Sequence, residues 1–341
     1  MKPNIFDYGT SELSNNTIIY WILKWSEVTD SKLYDLSKDL IQLFVEDYSK
    51  NIEINDIELY KDFIYERSIF KKHIDILIKL NDEYIIIIGD NVDSGVDINK
   101  HNDYRYILEK DKAFSDKTII YIYLKIEEEP TFNIIGENGY KIIKRINLIN
   151  IIEKYKDTAN DILKDYYNYL CKIDSEYNSY SNIELINNWG SRSWQGFYSN
   201  LQEEKKMNNE CWYYVNNRKG GFWLFVWNEN KLKYNMEIDY CIYLQIAARN
   251  EPRIDFKVEV DNAKYQSKIR DFVWRSLEEI IKSTTEKKYI PKKSTFKKGK
   301  RMVIAHIHNI ETENDIKKAM SVAEYYYSEF IKILEKNNME K

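Results

Sequence analysis

The chain has only three cysteines, Cys171, Cys211 and Cys241, and four histidines, His73, His101, His306 and His308. The cysteines are odd in number, far apart and never in C-x-x-C spacing, which argues against a disulfide framework or a cysteine zinc site and leaves them as reduced core thiols. The histidines form no H-E-x-x-H or similar cluster, so a histidine-built metal centre is not expected. No run of about eighteen apolar residues occurs, and the opening MKPNIFDYGTSELSNN lacks the basic-then-apolar order of a secretion signal. A soluble, cytoplasmic protein with no membrane partner is the expectation. An excess of charge is missing too: the formal net charge is only -4 over 341 residues. A nucleic-acid surface must therefore be a local patch and not a property of the whole chain.

What is present is enough apolar sequence, 43% of residues, for one large or two ordinary domains. Over 10–48, apolar residues recur at helical spacing (Leu13, Ile18, Trp21, Ile22, Trp25; Leu33, Leu36, Leu40, Phe44), which predicts two packed helices. The pattern then changes to strand, turn and strand over 74–90, a helix over 99–114 and a strand over 118–126. This is a β-β-α-β core, followed by a short strand near 140–146 and a helical stretch to about 176. The polar joint 174-DSEYNSYSN-182 divides the chain into domains 1–176 and 177–341. The second half reads as α+β: a helix with Phe197 and Leu201, antiparallel strands over 211–215, 222–227, 240–246 and 254–260, a helix over 264–283, a strand over 302–310 and a terminal helix over 315–335.

One position in the first half is chemically out of place. Asp75 lies inside the apolar strand HIDILIKL, and burying a carboxylate without a cation or donors is costly. Lys71, Lys72 and Lys79 are local candidates to pair with it. The next strand, 84-YIIIIGDNVDSG-95, runs four isoleucines into a polar end. With the opening IFDYGTSELSNNTIIYWILKW, Glu66 in YERSIF, Asp75 in HIDILIKL, the strand YIIII and the segment 102-NDYRY-106, residues 4–150 resemble the bacterial branch of the PD-(D/E)XK nuclease superfamily.

The resemblance implies a mixed-sheet, restriction-endonuclease-like α/β core with flanking helices. It implies a glutamate in an early helix, matched by Glu66, an aspartate matched by Asp75, an E-x-K strand end, and a helix whose tyrosine is matched by Tyr106. In such sites two carboxylates hold Mg²⁺ and a lysine orients the attacking water. Because strand side chains alternate, E and K share the face that looks toward the aspartate. Here Gly89 stands at the E position and Asn91 at the K position, while Asp90, the acid left over, points to the opposite face unless a bulge at Gly89 re-aims it as a second metal ligand beside Asp75. Asparagine supplies neither positive charge nor a base. The resemblance therefore leads to a pseudonuclease that binds nucleic acid, DNA rather than RNA, or a partner protein. The alternative is an active Mg²⁺-dependent DNA endonuclease, of a kind found in phage defence, whose catalytic groups have migrated to Asp90, Asp93, Lys100 or Asp103. A dimer suits an active relative that cuts both strands, but no dimer seam is legible.

Three further features stand outside that core. The segment 287-KKYIPKKSTFKKGKR-301 carries eight basic residues and no acid, with Lys292, Lys293, Lys297, Lys298, Lys300 and Arg301 as candidate phosphate contacts. It reads equally as a solvated loop. The aromatics Trp212, Tyr213, Tyr214, Phe222, Trp223, Phe225 and Trp227 suit a hairpin core better than base stacking. His306 and His308 share a strand face without a third ligand, which points to a structural role.

Overall fold

The computed structural model describes residues 12–67, 70–89, 111, 114–158, 160–217, 220–235, 237–249, 251–284 and 288–339. They fall into two compact units, Met1–Ser175 and Glu176–Lys341.

In the first unit, helices α1 (Glu12–Lys24) and α2 (Lys32–Val45) pack together. Ser31 starts α2 by accepting a hydrogen bond from the Leu33 amide at 3.1 Å, an N-cap of the usual chemistry. Leu36, Leu40, Ile41 and Phe44 then recur at three- and four-residue spacing on its buried stripe. The described residues next form strands β1 (Ile57–Arg67), β2 (Phe70–Leu80), β3 (Tyr84–Gly89), β4 (Thr118–Lys125) and β5 (Lys141–Lys144), which lie side by side in that order. β1, β2 and β3 are antiparallel, whereas β3, β4 and β5 are parallel, so the sheet is mixed. Ile85 to Ile88 are all buried because β3 is central and covered on both faces, the condition under which a strand reads as a continuous apolar run. A short helix α3 (Phe132–Glu137) precedes β5, and α4 (Arg145–Ile152) and α5 (Asp161–Tyr177) close the unit.

The helical stretch expected to run to 176 is thus broken between 153 and 160, where the Asn160 side chain caps the Leu163 amide at 2.9 Å. A larger difference is β1. Its sequence IELYKDFIYER was not read as a strand, and it places Glu66 on a strand and not on the early helix that the nuclease resemblance implies. The helix expected over 99–114 lies, apart from residues 111 and 114, outside the described residues.

The second unit holds α6 (Ser191–Glu204), β6 (Trp212–Val215), β7 (Phe222–Tyr234), β8 (Ile238–Ala247), β9 (Ile254–Glu259), α7 (Gln266–Ser283), β10 (Lys292–Lys293), β11 (Arg301–Ile307) and α8 (Glu313–Met339). Its strands form an antiparallel sheet in the order β10-β11-β9-β8-β7-β6. All three helices pack on one face: Phe197, Trp274 and Phe330 share a core with Phe225, Leu244, Phe256 and Ile304. No described helix is long and apolar enough to cross a membrane.

The start of α8 is fixed by a reciprocal cap, in which Thr312 Oγ1 accepts from the Asp315 amide at 3.2 Å and the Thr312 amide donates to Asp315 Oδ2 at 3.3 Å. The Tyr289 hydroxyl, Thr312 and Lys288 also donate to this carboxylate and hold it well below the usual carboxylate range. A depressed folded-state pKa gives stability that is present above the unfolded value, about 4, and lost as pH falls through the folded one. Asp315→Asn should therefore cost about 1 kcal/mol at neutral pH. It should also flatten the acid limb of a stability-versus-pH curve measured by urea unfolding, and an unchanged limb would show that the acid sensitivity arises elsewhere.

Candidate functional site

The geometry around Asp75 follows from the β2–β3 hairpin. Its turn places Asn81 and Asp82 in the left-handed region (φ 56° and 55°), which these two residue types tolerate better than other side chains. The turn fixes the pairs Leu80 with Tyr84 and Ile76 with Ile88, and the next step of that register sets Asp75 against Gly89. A Cβ added at Gly89 would meet Asp75 Oδ2 at 3.5 Å, an ordinary contact, and Gly89 is not left-handed. Gly89 thus adjoins Asp75 on the face where a side chain at that position would project. Lys79 is engaged elsewhere, 2.7 Å from Glu58 of β1.

No family model, curated protein or solved structure matches the chain.

Two features near Asp75 were not legible in the sequence. On β1, Lys61 pairs with Ile76 and Phe63 with Ile74, so Asp62 falls opposite Asp75, in the left-handed region at φ 53°. The alternation breaks there, because Ile74 and Leu77 pack in one cluster with Tyr65, Ile85, Ile87, Phe114 and Tyr121. On the other side, Gly89 pairs with Tyr123 of β4. The buried Tyr123 donates to Glu129 Oε2 at 2.5 Å, and Lys125 lies 3.3 Å from Glu129 Oε1. Asp62, Asp75, Gly89 and Tyr123 therefore form one row across four strands, with a lysine–carboxylate pair beyond its parallel end. The only local hint was that the apolar stretch TIIYIYLKI carries a lysine one residue before its end and runs directly into three glutamates. Asp90, Asn91, Asp93, Lys100, Asp103 and Tyr106 lie outside the described residues, as does the side chain of Glu66. Among the described residues, no group of three or more His, Cys, Asp or Glu is placed to hold a metal.

In the second unit the basic segment divides into two parts. Lys300 pairs with Asp261 at 2.7 Å and Glu259 at 3.2 Å, and Arg301 pairs with Glu259 at 2.8 Å. Lys293 covers the rings of Trp274 and Phe296, at 5.2 and 5.1 Å from their centroids. Lys292, Lys297 and Lys298 are exposed and make no ion pair among the described residues. The aromatic hairpin is likewise split by strand alternation. Trp212, Phe225 and Trp227 are core, whereas Tyr214 is 50% exposed and packs edge-on to Trp223, with ring centroids 5.2 Å apart. His306 and His308 touch, with ring centroids 4.1 Å apart, and burial together with neighbouring positive charge holds both imidazoles below their usual range. The cysteines are free; burial pushes the thiols of Cys211 and Cys241 up to about 12, so they are neutral and poor nucleophiles at pH 7.

Proposed function

We propose that the first unit is a nuclease-like scaffold of the PD-(D/E)XK type without Mg²⁺-dependent cleavage, in a chain that binds DNA through its second unit. The supporting observation is the space beside Asp75 at Gly89, where an added Cβ would meet Asp75 Oδ2 at 3.5 Å and a second carboxylate would complete an oxygen-ligand metal site. At the positions where the resemblance implies E-x-K, Gly89 and Asn91 supply neither the second acid nor the cation on which phosphoryl-transfer catalysis depends. Binding is assigned to the exposed lysines of the 287–301 segment.

A second reading, an Mg²⁺-dependent endonuclease with relocated groups, is favoured by one observation: Lys125 and Glu129 sit at the end of β4, the strand paired with β3. Purified full-length protein distinguishes the two readings. Plasmid DNA should be retarded in a mobility-shift assay and remain uncut in Mg²⁺. Replacing Lys292, Lys293, Lys297 and Lys298 with alanine should weaken that binding and flatten its salt dependence, since each lost phosphate contact removes a slope of about 0.9 on logarithmic axes. Cleavage abolished by Asp75→Ala would refute the binding-only reading, and an unchanged salt slope would leave the segment a solvated flank.

A further inference from the structure

Where α6, β7 and α8 meet, the second unit carries a cleft of about 670 Å³, within the size range of small-molecule sites. Its first wall is the end of α6. There the Lys206 amide donates to the Glu203 carbonyl and the Met207 amide to the Gln202 carbonyl, both at 3.0 Å, with Lys206 left-handed at φ 51°. The second wall is β7, which carries one extra residue against β8 between Trp227 and Asn230; Asn228 takes up this bulge at φ 53°. The third is α8. Ser321, Glu324, Tyr325 and Ser328 share one of its faces at three- and four-residue spacing and span about 10 Å along it.

The floor and the walls differ in hydrogen-bonding character. Trp227 is the one lining residue that is buried, at 2% exposure, and its indole N–H has no acceptor among the described residues. A buried indole N–H ordinarily finds a partner, so an acceptor is missing at the floor. The α8 wall offers the reverse. Ser321 and Ser328 spend their hydroxyl protons on the Lys317 and Tyr325 carbonyls, at 3.1 and 2.9 Å, which leaves their oxygens as acceptors. Glu324 adds a carboxylate, and because Lys205 pairs with it the two charges of the lining cancel. Tyr325, half-exposed, brings a ring to the rim.

We infer that this cleft binds an uncharged, flat ring compound of the nucleobase type, whose carbonyl accepts from Trp227 Nε1 and whose N–H groups donate to Glu324 and the serine oxygens of α8. A lining without net charge gives an anion no advantage, and desolvating one there is costly. A carbonyl oxygen projects beyond the edge of its ring and carries no proton, so it suits a floor whose only side-chain polar group is a donor. A sugar hydroxyl would bring its own proton to the same place, where no side-chain acceptor awaits it. The flat ring body packs against Tyr325. The site is independent of the DNA-binding reading, because it lies apart from the 287–301 segment in sequence and takes a neutral ligand and not a polyanion.

Calorimetric titration of the full-length protein tests this with three probes: uridine, which carries carbonyls flanking an N–H, and ribose and maltose, which carry hydroxyls alone. Uridine should bind, and the two sugars should not. Trp227→Phe keeps an aromatic ring on the floor but removes the N–H, and it should weaken uridine binding about tenfold, the worth of one hydrogen bond. Ser328→Trp, at an exposed position of α8, fills the cleft and should abolish binding, and it decides the matter if Trp227→Phe does not fold. Failure of uridine to bind, binding of maltose in its place, or uridine affinity unchanged in Ser328→Trp overturns the assignment.

Discussion

The double change Gly89→Glu with Asn91→Lys is expected to give a protein that binds Mg²⁺ and nicks plasmid DNA, whereas the unaltered chain does neither. The backbone admits the glutamate. Gly89 is not left-handed, and the nearest atom to an added Cβ is a carboxylate oxygen at 3.5 Å, so the new side chain grows out beside Asp75 without a clash. Two carboxylates on adjacent strands repel each other until a cation sits between them, so the variant should be less stable than the parent in chelator and recover stability as Mg²⁺ is added. Calorimetric titration gives the affinity, and conversion of supercoiled to open-circular plasmid gives the activity. Asp75→Ala in the same background should abolish both. If the unaltered protein already cleaves, and loses cleavage on Asp75→Ala, the acids and the lysine lie elsewhere. Single alanine changes at Asp90, Asp93, Lys100 and Asp103, and at Lys125 and Glu129, would then locate them.

The largest loss of stability from a single substitution in the first unit is expected at Arg145. Its side chain is only 5% exposed and joins three segments: the end of β4 through the Ile126 carbonyl, the following loop through Glu128 Oε1 at 3.0 Å, and α5 through Asp174 Oδ1 at 3.0 Å. Truncation to alanine removes the fork and leaves two largely buried carboxylates without their cation, a change that costs about 3 kcal/mol in comparable buried pairs. Arg145→Lys keeps the charge but cannot span all three acceptors, and it should recover less than half of that loss. Urea unfolding followed by hydrogen exchange checks this: the protection lost should be concentrated in the first unit. A loss below about 1 kcal/mol would mean that the carboxylates are solvated well enough without the arginine.

Elements with their own periodicity were legible. The stripe of α2, the continuous apolar run of β3 and the alternating strands of the second sheet each announce themselves within a dozen residues, because one buried face is enough to write the pattern. β1 was not legible. Lys61 and Asp62 interrupt its apolar residues, and an edge strand with one exposed face, on which Ile64 is 51% exposed, gives a weak signal. The same limit applies to the site. Asp75 stood out because its neighbours are apolar, whereas Asp62 looked like any surface acid until strand pairing set it opposite Asp75. Lys300 and Arg301 looked available for phosphate because their carboxylate partners, Glu259 and Asp261, lie some forty residues earlier in the chain. Long-range pairing of this kind leaves no trace in local composition.

The conformation of Gly89 bears on the history of the chain. When a catalytic side chain is lost and the backbone then collapses into the gap, or turns left-handed, regaining the side chain requires several coordinated changes. Neither has happened here: the strand keeps a geometry that any residue can adopt, with space above it. Glycine and glutamate codons differ by a single base, as do those of asparagine and lysine. On the proposed nuclease reading, the E-x-K motif is therefore a short mutational step away, and the backbone at Gly89 raises no barrier to it.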